Sequence, residues 1–124
     1  MIEFLPSSDT SQNQALCERA GVAYSPSVIV YTAVEHGTQL GFGLFAVETG
    51  VLKVLHIPDD EYLADILTRS GINYAELRGI ELVNFSQANN IELLQKLYSL
   101  QKDISVDFSA EELLHSCKNC GKSQ

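Results

Sequence analysis

Two short stretches hold residue types that could do chemistry. His115-Ser116-Cys117-Lys118-Asn119-Cys120-Gly121 contains a C-x-x-C pair with a histidine just ahead of it. Thiolates at that spacing can grip one zinc ion from a tight turn, and His115 would supply a third ligand. A structural zinc normally takes four ligands, and the chain has no second pair. The fourth would then come from Cys17, or two copies of the chain would each lend a pair to one all-cysteine site. Cys117 and Cys120 could instead form a redox couple, although such couples usually open a helix after a strand, and this one follows a helix. An inert tail is the plainest reading of the same residues. The second stretch is His56 with Asp59, Asp60 and Glu61 close behind it. A histidine so placed could act as general base toward an amine. A partly buried, hydrogen-bonded histidine at a strand end is the commoner arrangement. No nucleophile constellation, glycine-rich phosphate loop or paired-carboxylate motif stands out elsewhere.

The elements that must position these residues are legible from periodicity. Ile2–Leu5 reads as a short strand, and Gln12–Ala20 as a brief helix ended by Gly21, with Cys17 a small packing residue on or near its apolar face. From Ser27 to Pro58 the hydrophobic period is two. Val28–Val34, Gln39–Val47 and Val51–Ile57 form an antiparallel meander joined by turns at His36-Gly37 and Thr49-Gly50. In the middle strand Leu40, Phe42, Leu44 and Ala46 share one face. Gly41 and Gly43 fall on the other and leave room for a close approach, by a packed helix or a bulge before a ligand. Pro58 ends the third strand, and Asp59 is the expected N-cap of a long helix closed by Gly79. Its face is Leu63, Ile66, Leu67, Tyr74 and Leu77, with Ser70 and Gly71 making a flat spot. Ile80–Phe85 is a strand. Asn90 caps a helix with Ile91, Leu94, Leu97 and Tyr98 on one face. Ile104–Phe108 is a last strand, and Ser109 to Glu112 fits a capping box opening a short helix.

Composition narrows the class of partner. The 124 residues suit one domain, residues 1–116, followed by a flexible cysteine-containing tail over residues 117–124. Sixteen acidic against eight basic residues give a formal net charge of −8. That argues against a nucleic-acid groove and against an anionic membrane surface, and permits a small amine or a protein partner. A second copy could pair along a free meander edge, so a homodimer is compatible with the pattern. Glu3 sits where a signal peptide would be positive, no stretch reaches the length of a membrane span, and the cysteine number is odd, so a cytoplasmic location is expected.

The order of strand, helix, three-strand meander, long helix, strand, helix and closing strand resembles the GNAT acetyltransferase superfamily. The resemblance covers roughly residues 28 to 100, with loose echoes in AELRGIELV and in Asn90 with Lys96-Leu97. It implies an α+β fold: a mixed central sheet, the meander followed by strand-helix units, with helices on both faces. It also implies acetyl-CoA as donor and transfer of its acetyl group to a small amine. In the family a loop of the form Q/R-x-x-G-x-G/A follows the third meander strand, and main-chain amides at the helix start hold the pyrophosphate. Here Ile57 is followed by Pro58-Asp59-Asp60-Glu61-Tyr62-Leu63-Ala64, in which only Ala64 matches. Each carboxylate near a phosphate oxygen would cost about 1 kcal/mol in water and up to ~4 at a surface-like dielectric. A helix dipole offers an anion only about 0.3–1 kcal/mol in return.

Standard acetyl-CoA binding is therefore not expected. Were acyl-CoA to bind, Ile57, Asp60, Glu61, Tyr62, Leu63, Ala64 and Asn90 would meet it. The family often protonates the departing thiolate with a tyrosine. Aligning Lys96-Leu97 puts Leu94 at that position, and Tyr98 lies one turn further on, where a core tyrosine is the plainer reading. The expectation is a GNAT-like domain acting as a non-catalytic binding or regulatory module. The alternatives are an N-acyltransferase using His56 and Tyr98, and a zinc or thiol module.

Overall fold

A computed structural model describes residues 1–100 and 104–115, the side chain of His115 excepted. The chain runs β1 (Glu3–Pro6), α1 (Thr10–Ala20), β2 (Ile29–Glu35), β3 (Thr38–Glu48), β4 (Val51–His56), α2 (Glu61–Glu76), β5 (Leu82–Asn84), α3 (Ile91–Tyr98), β6 (Phe108–Ser109) and α4 (Ala110–His115). The six strands form one sheet in sequence order. β1 to β4 are antiparallel neighbours, β4 and β5 are parallel, and β5 and β6 are antiparallel. This is the mixed α+β sheet that the resemblance implies, with the meander at its centre.

The two faces of β3 separate the layers, because successive side chains alternate. Phe42 and Leu44 pack with Val30 against Leu16 and Cys17 of α1. Gly43 and Phe45 face the other way, toward α2. A Cβ on Gly43 would lie 3.5 Å from the Leu67 Cβ, and one on Gly41 3.5 Å from Leu63 and Pro58. The glycine face thus admits a helix, not a ligand. Gly71 completes the approach: a Cβ there would come 2.5 Å from the Phe45 ring. Around Phe45 the main core gathers Leu52, Val54, Ile72, Val83, Phe85 and the inward residues of α3 and α4.

Helix ends follow local chemistry. Gly21 and Gly79 take left-handed φ values of 72° and 82°. In each case two backbone N–H groups turn back onto the last carbonyls, Val22 to Cys17 and Gly21 to Glu18, Ile80 to Ala75 and Gly79 to Glu76. That is the Schellman closure glycine permits.

Four expectations need correction. The N-cap of α2 is Asp60, not Asp59: its carboxylate accepts the Leu63 N–H at 2.9 Å. Leu77 is 76% exposed, since the helix proper ends at Glu76. β5 is only Leu82–Asn84, shorter than the apolar run that suggested it. The last strand is Phe108–Ser109, because the Asn84 carboxamide holds the preceding turn through Ser105, Val106 and Asp107. Among the described residues no helix is long and apolar enough to cross a membrane.

Candidate functional site

β4 and β5 pair through three residues, Val51 to Leu82, Leu52 to Val83 and Lys53 to Asn84, after which β5 stops. β4 continues to His56 alone. Between Val54 and His56 it carries one extra residue against β3, Leu55, which bends the strand just where its parallel neighbour ends. A parting of strands at a carboxyl end normally exposes backbone groups to a ligand. Here Asn89 occupies that place. Its Oδ1 accepts the Ile57 N–H at 2.9 Å and its Nδ2 donates to the Ile57 carbonyl at 3.0 Å. The carboxamide acts as a one-residue strand that satisfies both polar groups of a fully buried residue.

At the start of α2 each of the three acidic residues has a partner. Asp60 caps the Leu63 amide, Asp59 accepts from the Asn90 Nδ2 at 2.9 Å, and Glu61 pairs with Lys96 at 2.7 Å. Asn90 in turn caps α3 by accepting the Leu93 N–H at 3.3 Å. The acidic turn is thus tied to α3 at two points, Asn90 and Lys96. Of the other residues read as contacts for acyl-CoA, Ala64 is buried in the core, Leu63 packs on Ala33 and Leu67, and Tyr62 is 57% exposed with its ring edge-on to Phe4.

Beside this junction lies a cleft of about 310 Å³ whose lining includes Arg19, Gln39, Phe42, His56, Asp59 and Asn89. The His56 ring stacks on Phe42 with centroids 4.6 Å apart, and the Arg19 guanidinium lies 5.3 Å from the same ring. Burial pushes the imidazole below its ordinary range; Asp59 opposes this and Arg19 adds to it. A neutral histidine at this place has a lone pair available to accept a proton.

Tyr98 is elsewhere. It is 3% exposed, its ring is stacked on Phe85, and its hydroxyl donates to Asp65 Oδ1 at 3.1 Å, inside the packing of α2 against α3. It does not line the His56 cleft. Cys117, Cys120 and the His115 side chain lie outside the described residues, as does the tail over 117–124. Among the described residues no group of three or more histidines, cysteines or carboxylates could hold a metal. Cys17 is fully buried in the packing of α1 on the sheet, and burial raises its thiol above the usual range.

Sequence reasoning brought His56 and the acidic turn to one place and missed Arg19, Phe42 and Asn89. Arg19 reaches the cleft because α1 lies over β3, and Phe42 meets His56 across the pairing of β3 with β4, contacts with no local signal. Asn89 did carry one, as the first of two adjacent asparagines ahead of a helix.

Solved structures with the same arrangement settle the fold. An acetyltransferase of Bacillus subtilis, solved in complex with CoA, aligns with a TM-score of 0.52 at 14% identity, over 77% of this chain and 74% of its own. An IAA acetyltransferase from Bacillus cereus gives 0.52 at 19% identity, over 77% and 73%. A Desulfovibrio desulfuricans protein assigned to the GNAT family of acetyltransferases gives 0.50 at 14% identity, over 67% and 71%. The chain has the GNAT fold. No protein-family model matches the sequence, and no curated protein does either. At these identities the likeness is one of architecture, so what the GNAT-fold domain does is argued from its own residues.

Proposed function

We propose that this GNAT-fold domain is a non-catalytic binding or regulatory module that does not take acetyl-CoA in the usual mode. One observation carries the reading: the amide at the start of α2 is capped by the carboxylate of Asp60, with Asp59 and Glu61 on either side. Helix-start amides attract phosphates because they are donors without partners in a positive field. The carboxylates of Asp59 and Asp60 counter that field, Glu61 being paired with Lys96, and Asp60 consumes a donor. Asn89 supports the same conclusion by filling the end of β4. The position of Tyr98, in the core and bonded to Asp65, supports a structural role for it.

Titration calorimetry with acetyl-CoA at millimolar concentration tests this. Flat heats are expected, and a saturable isotherm would overturn the reading. A second reading, an N-acetyltransferase acting on a small amine, draws on one feature, the neutral His56 in an open cleft. It requires turnover that His56→Ala abolishes. A zinc or thiol module built on His115, Cys117 and Cys120 is decided by metal analysis of protein purified without chelator, where a stoichiometric metal would be required.

A further inference from the structure

The cleft beside β4 has a charge pattern that the reading above does not use. Its lining includes two formally charged side chains of opposite sign, Arg19 from the last turn of α1 and Asp59 from the turn before α2. They form no ion pair with each other, and the guanidinium of Arg19 meets no protein acceptor among the described residues. This exposed arginine, held against an aromatic ring with no carboxylate partner in a chain of net charge −8, keeps its donors available to an anion. Among the described residues the Asp59 carboxylate accepts one side-chain hydrogen bond, from Asn90, and has further acceptor capacity. The same lining includes the apolar and aromatic side chains of Leu40, Phe42 and Pro58.

We infer that this cleft binds a small zwitterion, with its carboxylate on Arg19 and its ammonium group on Asp59. The inference rests on the domain being a ligand-binding module and names the ligand class of that site. An amine alone would meet the repulsion of Arg19, and a carboxylate alone that of Asp59. A molecule carrying both gains from each and places its methylenes on Phe42. Both charges also act on His56, in opposite senses, so both lie within electrostatic reach of its ring. Size restricts the class further. At about 310 Å³ the cleft sits at the lower end of the roughly 300–1,000 Å³ span of ligand pockets, which suits an amino acid and not a nucleotide.

The test is a backbone-amide NMR titration with unbranched amino acids of increasing length: glycine, β-alanine, γ-aminobutyrate and ε-aminocaproate. Butylamine and butyrate serve as single-charge controls. At least one zwitterion should shift Gly41, Ile57 and Asp59 saturably and bind roughly fivefold or more tighter than either control. Arg19→Gln and Asp59→Asn, both exposed positions where the fold should survive, should each weaken it by a similar factor. Asp59→Asn keeps the acceptor for Asn90, which separates charge from structure. Equal shifts with the controls, unchanged affinity in both variants, or no shift at these amides would overturn the inference. Failure here would leave the acetyl-CoA result untouched, and a saturable acetyl-CoA isotherm would leave this titration to be read independently.

Discussion

His56 sits against Phe42 at the mouth of the cleft, and its protonation is linked to stability. Burial holds the folded imidazole below its ordinary value of 6.5. As pH falls, the unfolded chain therefore takes up its proton first. The contribution of neutral His56 is complete above that value and drains away as pH drops below it. Urea midpoints should fall from about pH 7 to pH 5, and His56→Gln should flatten that part of the curve. An unchanged slope in the variant would show that other groups set it. Asn89 invites a second test. Asn89→Ala leaves the Ile57 N–H and carbonyl without their partner, at a cost on the order of 2 kcal/mol, because each buried unsatisfied group costs ~1–3 kcal/mol before water enters. Denaturant unfolding measures it. A loss below about 0.5 kcal/mol, within the range of an ordinary surface substitution, would show that the carboxamide is incidental.

At the scale of elements, α2 packs closely on β3 where Gly71 faces Phe45. A Cβ there would meet the Phe45 ring at 2.5 Å, and that ring is fully buried. Overpacking of this kind costs about 1–3 kcal/mol. Better helix propensity returns at most ~1 kcal/mol. Gly71→Ala should therefore lower the Tm, and adding Phe45→Leu should recover part of the loss, a coupling that a thermal melt of the double variant reads directly. The flat spot at Ser70 and Gly71 was visible in the sequence because small residues interrupt an otherwise bulky face. The order of elements was visible too, since each strand and helix carries its own period and its own punctuation in Gly21, Pro58, Gly79 and Asn90. What was hidden depends on tertiary context. Asp59 and Asp60 are equally good caps on paper; Asn90, arriving from 31 residues away, engages Asp59, while Asp60 caps the helix. β6 was displaced because the Asn84 carboxamide organises residues 105 to 107 as a turn.

For the molecule as a whole, the GNAT fold supplies a notch where parallel strands part and a helix whose first amides point toward it. In this chain Asn89 fills the notch and the helix start is acidic. The capping carboxylate also stabilises: Asp60→Ala should cost about 0.5–2 kcal/mol, read as a lower denaturant midpoint. Arg19, Phe42 and His56 were not legible as neighbours because three separate elements bring them together. Beside that cleft, Asn89 and Asp60 already engage backbone groups at the end of β4 and the start of α2. The most direct measurement is a calorimetric titration of acetyl-CoA into the native protein and into a D59N/D60G/E61Q/N89A variant, in which the amide that Asp60 caps is also released. The account predicts no saturable heat from the native chain and measurable binding only where charge and carboxamide have been removed. A saturable isotherm from the native protein would contradict it.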